Sequence, residues 1–292
     1  MKLHIFITRH RLPAFFTMAF ALSWLAWLPY VLSDNGLGVV HFRFPQLLGT
    51  PQLLGVLPGA YLGPILSAFI VTAVAEGRPG LRRWTGRLLR WRVKWWWYAA
   101  TLLGVPVALT LASLPFAHGF AVPGASVLVA YLPALVLQMI TTGLAEEPGW
   151  RDFALPHLQP RFGALRGTLI LGPLWGFWHL PLFLTEWGGW PDVHWYSVVE
   201  FVVAATALSV VMTWVFNRSG ESLPVAMVLH TSVNNYMSVA WLEVFPGIDP
   251  HSSSRILLIA STVAAVVLIA VTRGRLGYRP RAAEPVERVL TA

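Results

Sequence analysis

The sequence predicts an all-α, polytopic membrane protein with eight transmembrane helices and both termini on the cytoplasmic side. Three observations carry this. Of the 292 residues, 56% are hydrophobic and only 12% charged, where a soluble domain holds about a quarter charged residues. The mean hydropathy is +0.61. The Lys and Arg residues also fall to one side of the division into spans, as the positive-inside rule requires.

Taking about 20 apolar residues as one crossing, the spans fall at 12–33, 47–75, 95–116, 125–147, 165–186, 195–216, 221–242 and 254–272. The basic residues 2–11 precede the first apolar run and imitate a signal peptide. That run is longer than an h-region of about 7–15 residues, so it reads as a retained span. The second span is overlong and carries Pro51, Pro58 and Pro64, which predicts a tilt or kink. With the N-terminus inside, 19 of the 21 Lys and Arg lie on the inner side, and only Arg43 and Arg255 lie outside. One integral domain, 1–277, is expected, with a basic Pro- and Ala-rich tail, 278–292, of disordered composition.

Small residues mark packing faces. Gly55, Gly59 and Gly63 recur every four residues, and Gly172 and Gly176 repeat the device in the fifth span; such spacing lets helices approach closely. Segment 78–97 interleaves Arg with Leu and Trp and ends in Trp95-Trp96-Trp97. It reads as an interfacial amphipathic helix, with anionic lipids as partners of its basic part, 78–94. The net charge of +8 and the pI near 10.4 would suggest nucleic acid in a soluble protein. In this class they mark lipid-facing loops, and no nucleic-acid partner is expected. The chain has no Cys, which excludes disulfides, thiol nucleophiles and thiolate metal ligands.

Ionisable residues within the spans are few. Glu146 and Glu147 end the fourth span, His179 lies in the fifth and His230 in the seventh, with Asn234 one turn later. Such groups are costly in hydrocarbon and are functional candidates by default. Glu200 lies near a span end and is read as peripheral. Glu147 and Arg151 stand i,i+4 in the favourable order for a pair, which leaves Glu146 as the less neutralised carboxylate. Ser222, Ala226, His230, Asn234 and Ser238 form one small-or-polar stripe that should face the bundle interior.

A carboxylate with an imidazole can hold and deprotonate a water. A second imidazole and a carboxamide can donate to a developing oxyanion. Together they suit acyl hydrolysis, most naturally of a peptide bond. Glu146, His179 and His230 could instead bind a divalent metal such as zinc, since two His and a carboxylate suit it. The H-E-x-x-H signature of soluble zinc proteases is absent, and the residues alone leave both chemistries open. One difficulty concerns depth. If the fourth span ends at 147 and the fifth begins at 165, His179 stands ~20 Å above the start of its helix and Glu146 at the end of its own. The expected remedy is a bent or shallow entry of 148–167, with the fifth span starting later.

The ordered motifs Glu146-Glu147-x-x-x-Arg151, Trp178-His179-Leu180-Pro181 and His230-x-x-x-Asn234 resemble those of the CPBP intramembrane proteases, the CaaX prenyl protease 2-like and bacteriocin-immunity (Abi) family. The resemblance covers roughly 125–240. One position departs from it: the aromatic four residues before His179 is Trp175, where the family usually has Phe. The resemblance implies an eight-helix fold in the cell membrane with an active site open to the cytoplasmic side. It implies that Glu146 activates water with help from His179, that His230 and Asn234 form the oxyanion hole, and that Glu147 and Arg151 order the site. The expected function is an intramembrane endopeptidase, glutamate- or metal-dependent, acting on a membrane-associated peptide or protein. A non-catalytic immunity or peptide-binding protein of the same fold, and a proton-coupled transporter, are the competing classes.

Overall fold

The computed structural model describes residues 2–280; the rest of the basic tail, 281–292, lies outside the described residues. Among the described residues the regular structure is all helical, joined by irregular links, with an isolated bridge between Leu47 and Thr50 in place of any strand. A short helix α1 (Lys2–Arg9) leads into α2 (Arg11–Leu32), and α3 follows as the long run Gln52–Leu88. The succession continues with α4 (Trp96–Phe116), α5 (Ala125–Phe162), α6 (Ala164–Leu184), α7 (Trp195–Arg218), α8 (223–244) and α9 (Pro250–Thr272).

Seven of these helices, α2 to α7 and α9, are long and apolar enough to cross a membrane. The eighth expected span, at 221–242, corresponds to α8, which differs in kind. It is a 13-residue helix, Leu223–Asn235, continued by a π turn, Tyr236–Ala240, and a last helical turn, Trp241–Val244. Nearly every residue of Leu223–Asn235 is buried. A helix enclosed on all sides by protein does not need a lipid-facing apolar surface, so it can carry His and Asn.

The fourth span is where the structure departs most from expectation. It does not end at 147. The helix runs on to Phe162, turns at Gly163 (φ 77°), and α6 starts at once. The expected bent entry of 148–167 and later start of the fifth span are therefore replaced by a helical hairpin. On a ruler of 1.5 Å per residue, Glu146 stands ~25 Å from the turn on one arm and His179 ~24 Å from it on the other. The two arms bring them to the same level, which removes the difficulty of depth.

Pro148 within this continuous helix has no N–H for the Leu144 carbonyl. The strain is absorbed by π turns on either side, Met139–Leu144 and Trp150–Ala154. The π turn Tyr61–Ile65 of α3 contains Pro64 and lies against the same stretch. Tyr61 donates to the Ile140 carbonyl at 2.7 Å, and a Cβ at Gly149 would stand 2.5 Å from Pro64 Cβ. π turns inside helices often accompany functional sites because they re-aim the following residues.

The glycine faces pack as expected. Cβ atoms at Gly55, Gly59 and Gly63 would strike Tyr30, Trp27 and Ser23 of α2, and those at Gly172 and Gly176 would strike Thr206 and Val202 of α7. The expected amphipathic helix over 78–97 is only half realised. It forms the last part of α3, set off from the rest by a kink at Gly77 (φ 60°), ends at Leu88, and gives way to a non-helical link before α4. Both cations assigned to the outer side are paired, Arg43 with Glu186 and Arg255 with Glu200, the latter at 2.9 Å.

Candidate active site

Glu146, Glu147 and Arg151 project from the middle of α5, and all three are buried. His179 follows the last α-helical residue of α6, Trp178, and precedes a 3₁₀ turn, Leu180–Leu184. Its place is fixed by its neighbours. Trp178 donates to Ser23 at 2.7 Å, and Trp24 donates to the Trp178 carbonyl at 2.9 Å, so α2 clamps the end of α6. The imidazole stacks on Trp187 and meets Phe201 edge-on.

The tautomers follow from the hydrogen bonds. His179 Nδ1 lies 2.9 Å from the Trp175 carbonyl, so it carries the proton and donates. Its Nε2 is then the bare nitrogen, 3.9 Å from Glu146 Oε2. That gap is within reach of one shared water. His230 Nδ1 lies 2.7 Å from Glu147 Oε1, again the donor arrangement. Glu147 turns its other oxygen to Arg151 Nε at 3.4 Å, both side chains being fully buried. Arg151 also donates to Ser209 at 3.1 Å and lies over the Trp175 ring, 4.1 Å from its centroid.

The structure thus brings Glu146 to His179, and Glu147 to both Arg151 and His230. The two adjacent carboxylates are separated by partner as the i,i+4 spacing suggested. The contact of Glu147 with His230 was not legible in the spacing, since it joins α5 to α8. Asn234 lies one turn beyond His230, half-buried; its carboxamide makes no hydrogen bond among the described residues. The expected inward stripe holds for Ser222, Ala226 and His230, but Ser238 is exposed. The fully buried amide is the neighbouring Asn235, which donates to the Tyr131 carbonyl at 3.1 Å.

Trp175 is the residue the sequence undervalued. Beyond forming an aromatic wall, it donates its indole N–H to Glu146 Oε2 at 2.8 Å and meets the His230 ring edge-on at 5.1 Å. A Phe there could form the wall and not the bond. Asp152 was also overlooked. It is 1% exposed, and Arg87 of α3 grips both its carboxylate and its carbonyl. Trp84 adds a bond to the Pro148 carbonyl at 3.0 Å. Its adjacency to Arg151 was the available signal.

A divalent metal such as zinc would have Glu146, His179 and His230 as its candidate ligands. Glu146 and the bare His179 nitrogen face one another, but a centre of this class needs three protein ligands. Among the described residues no three His, Asp or Glu side chains gather closely enough to hold an ion. His230 is oriented by Glu147, and Trp175 occupies the contact with Glu146. The three candidates do not form a zinc site in this arrangement.

Residues 127–236, which contain every residue of this constellation, match a family model described as type II CAAX prenyl endopeptidase Rce1-like. The match covers 110 of the 292 residues, so it is a similarity of this segment to that family. A search of curated proteins agrees: over 137 residues, 46% of the chain, the sequence is 25% identical to CAAX prenyl protease 2 of Methanococcus maripaludis. The chain spans about half the length of that relative, 48%. The Rce1-like segment takes in α5, α6, α7 and most of α8, so the comparison and the geometry meet on the same four helices.

Proposed function

We propose that the protein is an intramembrane endopeptidase that hydrolyses a peptide bond with a water activated by Glu146 and His179. The observation that carries this is the 3.9 Å gap between Glu146 Oε2 and the unprotonated Nε2 of His179, buried in the Rce1-like segment. A water in that gap gives a proton to Glu146 as its oxygen attacks the carbonyl carbon. His179 accepts a hydrogen bond from the same water and fixes its direction. Asn234 donates to the oxyanion, and so does the Nε2–H of His230 in its doubly protonated form, whose Nδ1–H stays on Glu147 with that carboxylate as counter-charge. Glu146 then returns the proton to the leaving amine. Arg151 acts through Glu147 and is a positioning residue.

The donor set supports glutamate chemistry over a resident metal, because the three candidate ligands do not converge. The substrate class that suits a site on a membrane helix is a membrane-associated peptide or protein, cut within its chain or near its C-terminus. The Rce1-like match favours the second. We take the arginine-rich face, which carries the α5–α6 hairpin, as the cytoplasmic face of the cell membrane by the positive-inside rule. On this reading both termini lie on that side and α8 is an eighth, enclosed crossing, and substrate reaches the site from the same face.

The test is a comparison of new C-termini, read by mass spectrometry, in membranes holding the wild type or His179→Ala at equal amounts. Products present with the wild type and absent with the variant support the reading. An identical product set in both contradicts it.

A further inference from the structure

The basic run after Gly77 is not uniform. Arg83 pairs with Glu76 at 2.5 Å, and Arg87 is held by Asp152. The cations further along converge on something else. Arg90, Arg92 and Lys94, from the link before α4, and Arg218, from the end of α7, line one cleft of about 760 Å³. Its lining includes Trp97 and the turn Ser219–Gly220, and no carboxylate. Glu221, next in sequence to Gly220, lines a smaller neighbouring cleft together with Arg90 and Arg279.

The cleft is built by tertiary bonds. Ser222 donates to the Arg90 carbonyl at 2.7 Å, Arg90 donates back to the Gly220 carbonyl, and Tyr98 donates to the Trp91 carbonyl at 2.8 Å. These bonds seat an irregular link of chain against the turn that enters α8. Trp97 is steadied edge-on by Trp214, ring centres 5.4 Å apart. Four cations from two distant parts of the chain repel one another when gathered in this way. All four are exposed, so the cleft gathers their charge at the surface, whereas arginines spread along a helix would satisfy the positive-inside rule without gathering it. Cations beside indoles, with Lys94 standing 4.6 Å from the ring centre of Trp96 next to the cleft, match the headgroup region of an anionic lipid at the membrane interface.

We propose that this cleft binds the phosphate of one anionic phospholipid, held by Arg92, Lys94 and Arg218, with its glycerol end against Trp97. The bound lipid joins the 89–95 link to the start of α8, the helix that carries His230. The proposal does not depend on the catalytic reading, because it concerns binding alone.

The experiment uses the full chain purified in detergent and titrated in a native mass spectrometer. The probes are a phosphatidylglycerol and a phosphatidylcholine with identical acyl chains. The expected result is tighter binding of the phosphatidylglycerol. Arg92→Gln/Lys94→Gln/Arg218→Gln should weaken that binding roughly 100-fold, since each cation near an anionic surface contributes about a factor of five. Lys94→Gln alone should weaken it about fivefold, which keeps the test open if the triple variant does not fold. Arg78→Gln/Arg82→Gln, on the same basic run and outside the cleft, should leave it unchanged. Equal affinity for the two lipids overturns the proposal. So does a control variant as weak as the triple variant, which would mean a diffuse field. Complete displacement by excess inorganic phosphate also overturns it, since the site would then recognise the free ion.

Discussion

The indole N–H of Trp175 donates to Glu146 Oε2 at 2.8 Å, and the same ring lies against Arg151. One side chain therefore touches the proposed base and the cation that orders its neighbour. Trp175→Phe keeps the wall and removes the donor. A hydrogen bond to a charged group contributes about 1.5–3 kcal/mol, so kcat should fall about ten- to hundredfold. KM should change little, because the bond orients the base and does not touch substrate. Steady-state cleavage kinetics on the identified substrate check this; an unchanged kcat would reduce Trp175 to packing.

Glu147 and Arg151 form a fully buried pair. Removing either partner alone leaves an uncompensated buried charge and should cost about 3–5 kcal/mol, whereas removing both is far milder. Glu147→Gln and Arg151→Met should each lower the thermal unfolding midpoint in detergent sharply. The double variant should recover much of the loss. It should still cleave poorly, because His230 would have lost the carboxylate charge that faces its Nδ1 proton, a carboxamide oxygen accepting the bond more weakly. Additive losses in the double variant would show that the two residues act independently.

Gly149 meets Pro64 where α5 crosses the π turn of α3, and a Cβ there would lie 2.7 Å from the Pro64 carbonyl carbon. Gly149→Ala should destabilise by about 1–3 kcal/mol through overpacking, and should lower activity by moving Glu146. Gly104→Ala in α4 is the contrast, since a Cβ there meets nothing within 4 Å. It should be neutral or stabilise by about 0.5–1 kcal/mol. Paired melting curves and cleavage rates read both.

Chelation tests the proposed chemistry from another side. Because Glu146, His179 and His230 do not gather into one ligand set, cleavage should survive exhaustive dialysis against a strong chelator. Elemental analysis before and after gives the control. Activity that disappears with the metal and returns with added zinc would contradict the glutamate reading.

Much of this architecture was legible in the sequence because membrane spans announce themselves by length and polarity. The packing glycines were legible because their spacing fixes a face. The end of the fourth span was not. Glu146, Glu147 and Arg151 look like a helix terminus to a hydropathy reading, yet they are buried in the middle of a helix that continues to Phe162. Protein around them, including Trp175, Ser209 and His230, supplies the partners that lipid cannot. The Glu147–His230 bond and the Asp152–Arg87 latch join segments distant in sequence. Local spacing carries no trace of such pairings. The break at Gly77 was invisible for a different reason: its basic, amphipathic surroundings favour a helix on either side, and only the backbone reversal at that residue divides them.

The most direct measurement is the turnover of Glu146→Gln beside the wild type on the substrate the wild type cuts, with substrate binding measured separately. General-base catalysis contributes about 10²–10⁴ in rate. The account predicts a loss of kcat in that range with binding retained, since the carboxamide keeps the shape and the Trp175 contact and cannot take the proton of water. A variant that cleaves within about threefold of the wild-type rate, far short of a lost general base, would contradict the claim that Glu146 activates the water.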